Sequence, residues 1–295
     1  MGNRLGSAVV TFGVLALVCG LCVAHADDVG DAFTAVPAWA FATAVALHLV
    51  TLVLRSEAWR LSLAAAGGDG LPRGVVHGAN AAAFVAGAVQ SHAALPARVA
   101  VLRRVAGERA PPASRICVAD LPIVVLELSA TALLLAAGAL VGRGSVLIAS
   151  VAVAVALAVL AAARLAPERT TWRPLRGLAV LADRRRRGGL VLLVAGITGM
   201  TLARLWLVLA VCGLPHDLSD VTWTFATLGA FGLLPIGPGA PAGATLATFG
   251  VAHLGAAIAA GLILGASSIV AVLVYAFAVG LAARLGMRTR QPAPA

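Results

Sequence analysis

There is no lysine in this chain. All 22 basic residues are arginine, which excludes a phosphate-binding loop of the GxxxxGK type. Charge of either sign is scarce, at 12% of residues, about half the ~25% of a soluble domain. So few charges cannot cover the surface of a water-soluble fold of this length. Aromatic residues are 5%, with a single tyrosine. HExxH, GxSxG and Asp-x-Asp are absent, so the common metalloprotease and serine-hydrolase arrangements are not spelled out. Four cysteines, Cys19, Cys22, Cys117 and Cys212, all fall in apolar stretches, where they read as small buried hydrophobes rather than redox or metal groups. No cofactor and no metal site is expected.

What the sequence does have is apolar length. Hydrophobic residues make up 61% of 295 residues, and mean hydropathy is +0.98. Disordered chains are poor in such residues. The composition predicts an all-α, polytopic helical membrane protein forming one integral membrane domain over 1–295, with a short tail at 286–295. Apolar runs long enough to cross a ~30 Å hydrocarbon layer cover 7–24, 37–54, 116–141, 144–163, 189–214 and 251–283, hence about six full spans. Arg4, the first apolar run and Ala24-His25-Ala26 also fit a signal peptide; the run is taken here as a true span.

Arginine placement sets the orientation. Arg4; Arg55, Arg60 and Arg73; the five from Arg98 to Arg115; the eight from Arg164 to Arg187; and Arg284, Arg288 and Arg290 all fall on one side, 20 of the 22. That side is assigned as cytoplasmic, with both termini on it, in a cell membrane. The opposite loops carry Asp27, Asp28, Asp31, Asp217 and Asp220. The net charge of +10 is thus a topology signal and calls for no nucleic-acid partner.

Two further apolar stretches, 74–95 and 221–242, are broken by polar residues, Gly and Pro. Arginines flank the first on both sides, so it enters and leaves on the cytoplasmic face as a re-entrant hairpin. The second starts from the acidic side and contains Pro235-Ile236-Gly237-Pro238-Gly239-Ala240-Pro241, which cannot continue a helix. It is expected to be a second hairpin, from the outside. The order is then span, span, inner hairpin, span, followed by span, span, outer hairpin, span. This is the pattern of an inverted-topology repeat with halves 1–142 and 143–285, the plan on which many transporters build a midplane site.

Three segments resemble the membrane region of bacterial lysylphosphatidylglycerol synthases and the related stand-alone flippase-like proteins. They are Arg55-Ser56-Glu57-Ala58-Trp59-Arg60, the stretch from Leu95-Pro96-Ala97-Arg98 to Arg103-Arg104, and Leu233-Leu234-Pro235-Ile236-Gly237-Pro238-Gly239. In that family an Arg-Glu pair commonly follows the last loop; here Pro241-Ala242-Gly243-Ala244-Thr245 carries neither. The resemblance implies a flippase-like protein acting on membrane phospholipid. Synthase chemistry is not expected, because no aminoacyl-transferase domain accompanies the spans.

Ionisable groups inside a membrane are costly and point to function. Asp120 and Glu127 lie on the third span, about 10 Å apart on one helix face, and Arg204 lies on the fifth. Counted from the cytoplasmic ends, Glu127 and Arg204 reach ~17 and ~22 Å deep at 1.5 Å per residue. A Glu127–Arg204 pair is expected, serving either as a balanced lipid-phosphate site or as a static packing pair. Arg60, Arg98, Arg103 and Arg104 form a mouth cluster whose planar forks suit phosphate oxygens. Pro96, Pro235, Gly237, Pro238 and Gly239 mark the re-entrant loops. His48, His77, His92 and His253 show no ligand spacing. The expected activity is moving or binding an anionic or modified phospholipid, or a lipid-linked precursor. The alternatives are a membrane component of a headgroup transferase with a soluble partner, and a non-catalytic membrane subunit.

Overall fold

The computed structural model describes residues 26–141, 183–232 and 239–288, plus scattered single positions at 20, 23, 150–161 and 178–181. The described residues form helices joined by short turns, with no strand among them. The first and fourth predicted spans, 7–24 and 144–163, lie outside the described residues apart from isolated helical positions.

Helix α1 is Ala26–Thr34. Pro37 is held in extended backbone at φ −69° and starts α2, Ala38–Leu63, whose interior has neither Gly nor Pro to interrupt it. The predicted run stopped at Leu54; the helix continues and brings Ser56, Glu57, Trp59 and Arg60 into its regular structure. It ends in a wider π-turn, Ala64–Gly68, where Gly67 takes φ +96°, a value that favours glycine. Pro72 precedes α3, Arg73–Val89. After a tight turn at 90–93 comes α4, Ala94–Ala106, which packs back on α3. Pro96 sits in the first turn of α4, where its missing N–H is not needed.

The short α5, Ala113–Val118, leads into α6, Leu121–Val141, with Asp120 at the joint. Asp183 then caps α7, Arg184–Val211, accepting from the backbone N–H groups of Arg185 at 2.9 Å and Arg186 at 3.4 Å, the preferred chemistry for a helix start. Helix α8 is Leu218–Gly232. Helix α9 is Ala240–Phe249, with Pro241 in its first turn, and α10 is Leu254–Arg288. Of the predicted loop residues, Pro235, Gly237 and Pro238 lie outside the described residues, and Gly239 is the cap of α9.

Among the described residues, four helices are long and apolar enough to cross a membrane: Ala38–Gly68, Ala113–Ala139, Arg184–Val211 and Val251–Leu285. Large apolar side chains stay bare on their outer faces, among them Leu192, Leu273 and Phe277. Water would penalise such faces, and hydrocarbon does not. The molecule is a helical membrane protein.

At its centre α2 and α7 pack antiparallel. Followed from His48 to Leu54 to Leu61 along α2, the facing positions on α7 run backwards: Arg204, Gly196, Gly189. Two glycines on α7 let α2 approach; a methyl added at Gly196 would lie 3.1 Å from Leu54 Cδ1. Several of the remaining contacts come in pairs. Helix α3 packs on α10, and α8 on α6. Helix α4 packs on α3, and α9 on α8. Helix α2 touches α10, and α7 touches α6. These pairs survive exchange of α2, α3, α4 and α6 for α7, α8, α9 and α10, whereas the extensive α9–α10 contact and the α1–α10 contact have no comparable counterpart among the described residues.

Candidate functional site: a buried arginine behind an arginine-lined cavity

Arg204 projects from the middle of α7 and is buried. Its guanidinium is fully engaged at the tips. Nη1 donates to Nδ1 of His48 on α2 at 3.0 Å. Nη2 donates to Ser267 Oγ at 2.7 Å, to Ser268 Oγ at 2.9 Å and to the Leu264 carbonyl, all on α10. Its Nε is buried with no partner among the described residues. No carboxylate lies within ion-pair distance of it among the described residues. A buried cation held only by neutral dipoles is costly, and the sequence here maintains it with polar groups from two helices, α2 and α10.

The neutral groups around Arg204 are local products of helix geometry. Ser267 and Ser268 each turn their hydroxyl back to a carbonyl on the preceding turn, Ile263 at 2.5 Å and Leu264 at 2.8 Å, which satisfies the hydroxyl proton and leaves the oxygen free to accept. Since a guanidinium only donates, Nδ1 of His48 must accept, and the ring is neutral.

In front of this group lies a cavity of about 410 Å³ between α2, α3, α4, α9 and α10. Its lining includes His48, Arg55, Arg98 and Ser268, with Phe84 and Val272 on the apolar side. Arg55 spends Nη2 on Glu127 Oε2 of α6 at 2.9 Å. Arg98 spends Nη1 on Asp120 and lies 4.7 Å above the ring centre of the buried Trp59, a cation–π contact. Arg98 is itself buried, and its Nε lacks a partner among the described residues.

A second network joins the same helices beyond Arg55. Glu57 on α2 accepts from Arg60 Nε at 2.8 Å, Arg73 Nε at 2.5 Å and His77 Nε2 at 2.7 Å. The other nitrogen of His77 meets the hydroxyl of Tyr275 at 2.7 Å, and that hydroxyl meets Ser56 Oγ at 2.7 Å. One carboxylate thereby ties α2 to α3, and one phenol ties both to α10.

The expected residues divide as follows. Arg98 lines the cavity and Arg204 lies directly behind it. The expected Glu127–Arg204 pair does not form: Arg55 of α2 takes Glu127, and Arg204 turns to His48, Ser267 and Ser268. Asp120 pairs with Arg98. Arg60 is drawn to Glu57. Arg103 and Arg104 lie exposed on the last turn of α4, away from the cavity. Pro96 is exposed within α4. His48, Arg55, Ser268, His77 and Tyr275 were not anticipated. Depth along α2 could have singled out His48, which sits seven residues before Arg55, on nearly the same face. Among the described residues no cluster of His, Cys, Asp and Glu is placed to hold a metal. Comparison with protein families, with curated proteins and with solved structures finds no match to this chain.

Proposed function

We propose that this protein carries the phosphate group of an anionic lipid, a phospholipid or a lipid-linked precursor, from one leaflet to the other. The single observation behind this reading is Arg204: a buried cation with no carboxylate partner among the described residues, directly behind a cavity lined by Arg55 and Arg98. Guanidinium forks match phosphate oxygens, and the apolar walls of the cavity suit the start of an acyl chain. The two-fold packing pattern supports an inverted repeat. In that plan α3–α4 is a hairpin from the cytoplasmic side and α8–α9 its counterpart from outside, with both termini cytoplasmic in a cell membrane. Rocking one half against the other would open the cavity to each face in turn. No nucleotide-binding loop is present, so transport follows a lipid or ion gradient.

The test is reconstitution of the full chain in liposomes with fluorescent anionic phospholipids. Expected is headgroup-dependent exchange between leaflets, lost with Arg204→Gln. Exchange no faster than in protein-free liposomes, across a panel of anionic lipids, would overturn the reading. Headgroup chemistry by the pure protein, abolished by Glu127→Gln, would replace it with a transferase.

A further inference from the structure

We infer that the cavity selects a singly charged phosphodiester whose headgroup bears no ammonium, an inference that rests on the lipid-carrier reading and sharpens it. The argument is a charge count at the site. Three arginines, Arg55, Arg98 and Arg204, line the cavity or stand directly behind it, and two carboxylates, Glu127 and Asp120, pair with the first two. His48 is neutral, because its Nδ1 accepts from Arg204. Among the described residues the excess is one positive charge, which one phosphodiester neutralises.

Other headgroups fit less well. A phosphomonoester, doubly charged above a second pKa of about 6, would leave an uncompensated negative charge in a site of low dielectric. A zwitterionic or aminoacylated headgroup would bring an ammonium, which needs a carboxylate. Glu127 and Asp120 already hold the lining arginines, and Glu57, two residues beyond Arg55 on α2, is shared by Arg60, Arg73 and His77. The buried, unpartnered Nε atoms of Arg98 and Arg204 are donors, and only acceptor oxygens can satisfy them. The lining has no acidic side chain and several apolar ones. The class covers phospholipids with uncharged polyol headgroups and polyprenyl phosphosugars, which share the same diester.

The experiment measures binding to the detergent-purified full chain at pH 8 by calorimetry. The probes are dihexanoyl phosphatidylglycerol, phosphatidic acid, phosphatidylethanolamine and lysylphosphatidylglycerol, with dimethyl phosphate as the probe lacking acyl chains. Phosphatidylglycerol should bind at least about tenfold more tightly than each of the others, a ratio worth 1.4 kcal/mol. Glu127→Gln raises the excess to two charges, and the preference for phosphatidic acid over phosphatidylglycerol should rise about tenfold. Arg55→Gln lowers the excess to zero, and phosphatidylglycerol binding should fall about tenfold with the thermal midpoint little changed. Equal binding of phosphatidylethanolamine or lysylphosphatidylglycerol, or no change of preference in Glu127→Gln, would overturn the charge rule. Selective binding without leaflet exchange would overturn the carrier reading and support the rule. Dimethyl phosphate binding as tightly as the lipid would make the cargo a soluble diester, with the same division.

Discussion

Arg204 illustrates how a buried charge can be tested for purpose. Ser267 and Ser268 are already bonded to their own helix at 2.5 and 2.8 Å, so removing the guanidinium strands only the His48 nitrogen. Replacing a buried ion by an apolar side chain of similar volume is often neutral or stabilising. Arg204→Met should therefore keep thermal stability within about 1 kcal/mol of the parent, while lipid exchange falls to the protein-free rate. A large loss of stability would mark Arg204 as a packing device instead. Tyr275→Phe should do the reverse. It removes one hydroxyl that serves both His77 and Ser56, and the groups left behind cost about 1–3 kcal/mol, read as a lower melting midpoint in detergent. The intramembrane charges Asp120, Glu127 and Arg204 were legible in the sequence as exceptions to an apolar background. Their partners were not. Arg55 is one of several arginines at the end of an apolar run, and only the continuation of α2 past Leu54 shows that it belongs to the interior.

Glycine positions decide how the helices seat. At Gly261 of α10 an added methyl would fall on the backbone N and Cα of Ala242 in α9, and backbone cannot step aside. Gly261→Val should loosen the α9–α10 contact and cost about 1–3 kcal/mol or more, visible as faster proteolysis between α8 and α10. At Gly138 of α6 the obstacle is a side chain, Thr222 Oγ1 at 2.5 Å. Gly138→Ala should be destabilising alone and largely rescued by Thr222→Ala, which removes the obstructing hydroxyl. Apolar run length was enough to read α2, α6, α7 and α10 as spanning helices. It failed at the inner hairpin, where the expected segment stops at Leu95. Helix α4 instead runs to Ala106, because buried Arg98 and Leu102 lie one turn apart and continue a face that composition alone labels as a charged loop.

The described helices are organised about the antiparallel crossing of α2 and α7, and several of the other contacts fall in pairs around it. Arginine asymmetry along the sequence had suggested two halves, 1–142 and 143–285, with both termini on the cytoplasmic side, and side-specific labelling tests that division. In a cysteine-free background, single cysteines at Arg103 and Arg186 should label from one side of oriented vesicles, and those at Asp31 and Asp217 from the other. Labelling of Arg103 with Asp31 from the same side would remove the inner hairpin and the mirrored plan with it. Helix α10 carries a further consequence. Its 35 residues measure roughly 52 Å at 1.5 Å per residue, against ~30 Å of hydrocarbon, so it must lean or protrude. Gly265, Ser268, Ile269 and Val272 on this one rod form a side of the cavity. On the lipid-carrier reading, bilayers of longer or shorter acyl chains should change how far the rod leans and with it the width of the crevice, read as a change in exchange rate with bilayer thickness.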